Sequence, residues 1–155
     1  MPWYRIEPYD KGEVITLKPW IPKGGVKLPY PEEAITPRIP VAPSIKHCLA
    51  SLTGIPHPTP YIYKLISKAK IVNPKDKVPD SKYTGERWIL HPATFKRVGL
   101  LVIHGNLGLK TASNEEELKQ IIKEVLEAPL IVKNGVYHIF DSLTYNLYKA
   151  GIIKV

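Results

Sequence analysis

The sequence predicts an α+β domain: a small mixed β-sheet with helices packed on it, led by an extended, proline-rich N-terminal arm. Three stretches predict it. Val98-Gly-Leu-Leu-Val-Ile-His104 is a short apolar run closed by Gly105-Asn106, as in a strand covered on both faces. Leu118, Ile121, Ile122, Val125 and Leu126 recur at helical spacing while Lys119, Lys123 and Glu124 take the wet side. Leu130-Ile-Val132 and Val136-Tyr-His-Ile-Phe140 flank Asn134-Gly135, a pair that accepts the positive φ angles of a tight hairpin turn.

The chain divides at residue 43. Residues 1–43 hold nine prolines and no window for a helix, so they are expected to be an extended arm, with residues 44–155 as one α+β domain. Glu13-Val-Ile-Thr-Leu17 suits a short strand and Lys23-Gly-Gly-Val-Lys27 a turn. Trp3, Tyr4, Tyr9, Trp20 and Tyr30 stand among the prolines, which lets the arm lie against its own domain or against a neighbouring subunit. Ser44 caps a helix through Leu52, with Gly54 as its stop. Thr59 and Pro60 then suit the start of a second helix, with Ile62, Leu65, Ile66 and Ala69 facing the core and Lys64 and Lys68 on another face. The proline-rich connection between these helices is longer than the roughly three to four residues of a helix-turn-helix.

Asn73–Gly85 is the most polar run and is expected as a basic surface loop. Glu86–His91 follows as a strand, and Ala93–Arg97 as a turn of helix or a bridge. Ser113 and Glu116 form a capping box, Glu115–Glu117 suit the positive end of the helix dipole, and Pro129 ends that helix. Asp141 caps a short helix, Gly151 stops it and a last strand follows. That order over Asp141–Val155 resembles the junction of recognition helix and wing in winged-helix proteins.

At 155 residues the chain has room for one domain with a real core. No apolar run nears the ~20 residues that span a bilayer, and the N-terminus is no signal peptide, so a cytoplasmic protein without membrane contact is expected. Cys48 stands alone, which excludes a disulfide framework and a thiolate zinc site; it is expected as a small buried hydrophobe. Sixteen prolines with one Met and one Cys suit work at high temperature. In style the sequence resembles proteins of hyperthermophilic archaea and their viruses.

Charge points to a partner. Residues 44–97 carry ten basic and three acidic side chains, an excess of +7, against +1 before them and 0 after them. Such a concentrated excess favours a polyanion. The expected function is nucleic-acid binding, DNA before RNA, through residues 64–97. Lys64, Lys68 and Lys70 serve it from the predicted helix, Lys75, Lys77, Lys82 and Tyr83 from the loop, and Arg87, Lys96 and Arg97 from beyond it. Lysine and arginine would contact phosphates, while Tyr83 and Trp88 are rings that can stack on bases or pack in the core.

Other chemistry is sparse. Gly105–Lys110 lacks the spacing of a phosphate loop, the five histidines show no metal-ligand spacing, and no nucleophile elbow is present. Glu86 lacks the dipole and capping explanations of the other acids, so either it pairs with Arg87 or Lys82 or it has a chemical task. It stands in the most basic region and is the candidate catalytic carboxylate of a metal-dependent DNA nuclease, holding Mg²⁺ or Mn²⁺ with Asp80 as a second ligand. Binding alone needs no cofactor. A third reading is a virion or assembly protein whose N-terminal arm laces subunits into a homo-oligomer.

Overall fold

The structure, a computed structural model, describes residues 1–21, 33–51, 60–107 and 112–155. It is organised on Ala93–His104 (β6 in chain order), a strand of 12 residues. The apolar run from Val98 is its second half, and Ala93–Arg97, expected as a turn of helix or a bridge, is its first. One edge of β6 pairs antiparallel with Tyr61–Leu65 (β4), and β4 pairs antiparallel with Tyr4–Glu7 (β1). The opposite edge is shared. Val14–Leu17 (β2) runs antiparallel against Ala93–Lys96, and Val136–Phe140 (β8) runs parallel to Leu100–His104. Leu130–Lys133 (β7) pairs with β8, and Ile39–Val41 (β3) with Arg87–Ile89 (β5) makes a separate two-stranded ribbon. Helices Ile45–Ser51 (α1), Ser81–Thr84 (α2), Glu115–Glu127 (α3) and Ser142–Lys149 (α4) complete the described elements. The fold is α+β with a mixed sheet.

A register shift in β4/β6 gives the sheet two cores. Tyr63 lies opposite Arg97 but Ile62 lies opposite Gly99, so Val98 is skipped and the strand changes which face its odd positions take. Before the shift, Ala93 and Phe95 join Tyr63 against Ile39, Val41 and Ile89 of the ribbon. After it, Leu101 joins Ile62, Ile6 and Ile139 against α1 and α3, which supply Ile45, Cys48 and Leu49 and Leu118, Ile121, Ile122 and Val125. Gly99 sits at the crossing. A Cβ there would stand 2.5 Å from the Gly135 carbonyl oxygen and 2.6 Å from the Tyr137 ring.

The hairpin and the helix ends follow their sequence signals. Asn134 and Gly135 take φ of 52° and 75° between β7 and β8. The capping box of α3 is realised one residue late: Asn114 accepts from the Glu117 amide at 2.9 Å, and Glu117 accepts from the Ser113 amide and hydroxyl at 2.9 and 2.8 Å. Asp141 caps α4, accepting from the Thr144 amide at 2.8 Å. Cys48 is the expected buried hydrophobe; burial pushes its thiol up to about 12, and it donates to the Tyr4 carbonyl.

Several expectations are corrected. Residues 61–65 are strand β4, not a helix, because β6 and β1 offer both of its edges hydrogen-bond partners that a lone helix would forgo. The described parts of residues 1–43 contain no helix, as expected, yet they stand inside the sheets as β1, β2 and β3. Residues 73–85 hold a 3-10 turn at Lys75–Lys77 and α2, with Asp80, Ser81 and Thr84 buried. Gly151 stops α4 with φ of 77°, but no strand follows, so the likeness to a wing ends there. The Lys23–Lys27 turn, Tyr30, Leu52, Gly54, Thr59 and Lys110 lie outside the described residues. Among the described residues no helix is long and apolar enough to cross a membrane.

On the face of β6 and β8 opposite α1 and α3, His104 Nε2 meets His138 Nδ1 at 2.9 Å, and the His104 ring stacks on buried Phe140 with centroids 4.5 Å apart. Tyr148 of α4 covers the other side of this group, 5.2 Å from Phe140.

Two outcomes follow. Gly99→Ala should cost about 1–3 kcal/mol in denaturant unfolding, since backbone and a packed ring must move; an unchanged midpoint would contradict the close approach. Burial lowers the pKa of both His104 and His138, and for His138 the charges of His104 and Lys133 add to it. The unfolded chain therefore takes protons first. The stabilisation is whole above about pH 6.5 and is lost as pH falls below that towards the folded values. The fall in melting temperature between about pH 7.5 and about pH 5.5 should shrink in His138→Gln; an equal fall in both proteins would refute it.

Candidate nucleic-acid interface

Where β2, β6 and β4 run side by side, period-two alternation leaves one face of the sheet uncovered. On β2, Ile15 and Leu17 turn to the ribbon core while Val14, Thr16 and then Lys18 are exposed. On β6, Ala93 and Phe95 are buried and Thr94 and Lys96 point the other way. On β4, Tyr63 and Leu65 face the ribbon, leaving Lys64 and, just past the strand, Ile66. Register sets these side chains in two rows. Lys96 has Lys64 on one side and Val14 on the other. Thr94 stands beside Thr16, their hydroxyls 2.9 Å apart, and Ile66 donates its amide to the Thr94 carbonyl at 2.9 Å.

The helices cover the same face further along, over Ile62, Ile6 and Leu101, and do not reach these rows. Lys64, Lys96 and Thr16 are exposed, Val14 is 55% and Ile66 53% accessible. None of β2, β4 and β6 contains an acidic residue, and no ion pair among the described residues engages Lys64 or Lys96. Two ammonium groups directly opposite each other repel. Beyond β4 the alternation continues, with Lys68 and Lys70 exposed and Ala69 and Ile71 in the ribbon core.

Of the residues expected to bind, the structure brings together Lys64 and Lys96, with Lys68 and Lys70 on the continuation of the same segment. Lys64 lies on β4 and Lys68 beyond the bend at Ser67, so no helical turn relates them. The others lead elsewhere. Arg97 pairs with Asp10 at 2.5 Å, an interaction that holds the aspartate below and the arginine above its ordinary pKa. The Gly12 amide is the larger cause for Asp10. Arg87 donates to the Glu86 carbonyl at 2.8 Å, Lys77 to the Thr36 hydroxyl at 3.4 Å, and the Lys82 ammonium lies 5.1 Å from the Tyr83 ring centre. Lys75 is exposed, with its amide bonded to Asn73. Tyr83 is half-buried, its hydroxyl 3.3 Å from Glu115 and the Lys119 ammonium 5.3 Å from its ring. Trp88 is 1% accessible with Arg38 stacked 4.6 Å over it, so it packs in the core and offers no base a platform. Ile66, expected to face the core from a helix, is exposed instead, because pairing beside Thr94 turns it outward past β4. Val14, Thr16, Lys18 and Thr94 were not singled out from the sequence, and the polar-apolar alternation from Val14 to Lys18 was the signal for the first three.

Glu86 has a structural role. It is half-buried, its carboxylate accepts the Trp88 indole N–H at 3.0 Å, and its amide bonds the Thr84 hydroxyl. That supplies the polar handle a buried indole requires. Asp80 is buried at the start of α2, where its carbonyl accepts from Tyr83 and Thr84. Among the described residues no group of three or more His, Cys, Asp or Glu stands ready to hold a metal ion. Glu86→Ala leaves the indole N–H of a buried tryptophan without this acceptor and should destabilise by about 1–3 kcal/mol, with Glu86→Gln losing less. Equal stability of wild type and Glu86→Ala in thermal unfolding would remove this role.

No protein-family model matches the chain, and comparison with curated proteins and with solved structures finds no similar one.

Proposed function

We propose that the chain binds nucleic acid, in the first place DNA, on the uncovered face of β2, β6 and β4. The observation that carries this is the exposed Lys64–Lys96 pair, set in register on β4 and β6, which like the neighbouring β2 hold no carboxylate. A phosphate between the two ammonium groups replaces their repulsion with two charge-assisted hydrogen bonds. Lys18 and Lys68 at the margin extend the positive field, and the excess of +7 over residues 44–97 supports it at longer range. Contacts of this kind give affinity and position without reading sequence. The alternative of a subunit-lacing assembly protein draws less support, because β1, β2 and β3 tie the described part of residues 1–43 into the chain's own sheets.

Titration of a labelled DNA between about 50 and about 200 mM salt tests the reading, since each neutralised phosphate contributes about 0.7–0.9 to the log–log slope. Lys64→Gln with Lys96→Gln removes the one phosphate site they share and should flatten that slope by about 0.7–0.9, whereas Lys77→Gln with Lys82→Gln should leave it nearly unchanged. Absence of binding at low salt would overturn the proposal. Cleavage of DNA that requires Mg²⁺ or Mn²⁺ and disappears in Glu86→Gln would replace it with the nuclease reading.

A further inference from the structure

We infer that the nucleic acid this face takes is single-stranded, its bases lying on the sheet and its phosphates on the lysines; the inference rests on the binding proposed above. The two exposed rows are not purely cationic. Val14 and Ile66, each more than half accessible, stand directly beside the lysines and threonines. A duplex turned towards a flat surface presents phosphates and sugars, and its base edges lie in grooves that need a projecting helix or ribbon to reach them. Apart from the two lysines, nothing on these rows projects. Valine, threonine and isoleucine are short side chains on the face of a three-stranded sheet whose outer strands lie roughly 10 Å apart. Against a duplex, the two aliphatic side chains would lose water without gaining a surface. Against an unpaired strand they meet base faces, and the Thr16 and Thr94 hydroxyls, each able to donate and accept, meet base edges or sugars.

The spacing points the same way. Lys64 and Ile66 stand one strand repeat of roughly 6.6 Å apart, after which the chain bends at Ser67 with Lys68 and Lys70 still exposed. That repeat is comparable with the distance between successive phosphates along one strand, while Lys96 doubles the charge at the Lys64 step. No exposed aromatic ring lies on the two rows, so the strong stacking of dedicated single-strand platforms is missing and the preference should be moderate and tolerant of base identity.

The test is competition at one ionic strength between labelled single-stranded oligonucleotides, DNA and RNA, and a duplex of the same length. Wild type should prefer a single strand about tenfold. Val14→Thr with Ile66→Thr keeps β-branched residues in place and should remove that preference, leaving duplex affinity and salt slope as they were. Lys64→Gln with Lys96→Gln should weaken both ligands alike. If the double threonine variant melts early, Ile66→Thr alone, which lies outside β4, carries the comparison. Equal or tighter binding of duplex by wild type, or an unchanged single-strand affinity in the threonine variant, overturns this inference while leaving nucleic-acid binding intact. Failure to bind either ligand overturns the binding proposal itself.

Discussion

The rest of the structure depends on the need of β6 for hydrogen-bond partners along both edges. A strand of 12 residues running through the interior exposes a row of amides and carbonyls on each side, and burying them unpaired costs more than the fold can carry. One side is met by β4 and, past its ends, by the Pro60 carbonyl and the Ile66 amide. No single strand serves the other side. β2 covers four residues and β8 five, and between them loops fill in: the Arg97 amide donates to Glu13 and the Leu100 amide to Gly135. Because β2 is antiparallel and β8 parallel to β6, this divided edge is also what makes the sheet mixed.

That division decides where the sheet is covered. The register shift at Ile62/Tyr63 turns β6 over between its halves, so the first half gives its large side chains to the ribbon and the second half gives them to α1 and α3. A helix-covered face therefore begins only past the shift. Ahead of it, no described element covers the outward positions of β2, β4 and β6, which lysines, threonines and the exposed Val14 and Ile66 occupy. The candidate interface is the remainder of a sheet whose two halves bury opposite faces.

The legible parts of the sequence were those with local, self-sufficient signals. Asn134-Gly135 specifies its turn because only positive φ at both residues closes that hairpin, and the Asn114–Glu117 cap lies one residue from the expected Ser113–Glu116 because all four side chains have suitable chemistry. Residues 61–70 were misread because Ile62, Leu65, Ile66 and Ala69 fit a helical face as well as their neighbours fit alternation. Only the distant partners β1 and β6 decide between the two periods. Strand β2 was legible as the alternating Glu13–Leu17 stretch, whereas β1 and β3, four residues or fewer, are too short to announce themselves among prolines. The basic region was visible as a sum of charges. Which lysines meet was not, because the Lys64–Lys96 contact joins residues 32 apart through a register that no local pattern encodes.

The distribution of acids sharpens the reading of that contact. Of the chain's 14 acidic residues, four match cations elsewhere among the described residues: Glu7 holds Arg5 and Lys11, Asp10 holds Arg97, Glu33 holds buried Arg38, and Glu116 faces Lys119. Placing a carboxylate at Val14 or Ile66, beside Lys96 or at the next outward position after Lys64, would have relieved the repulsion and gained a cross-strand pair of about 0.2–1 kcal/mol. Aliphatic residues stand there instead. Stability alone favours the opposite choice at those two positions, whereas a surface that must hold phosphate and keep an apolar floor beneath bases is served by the residues present.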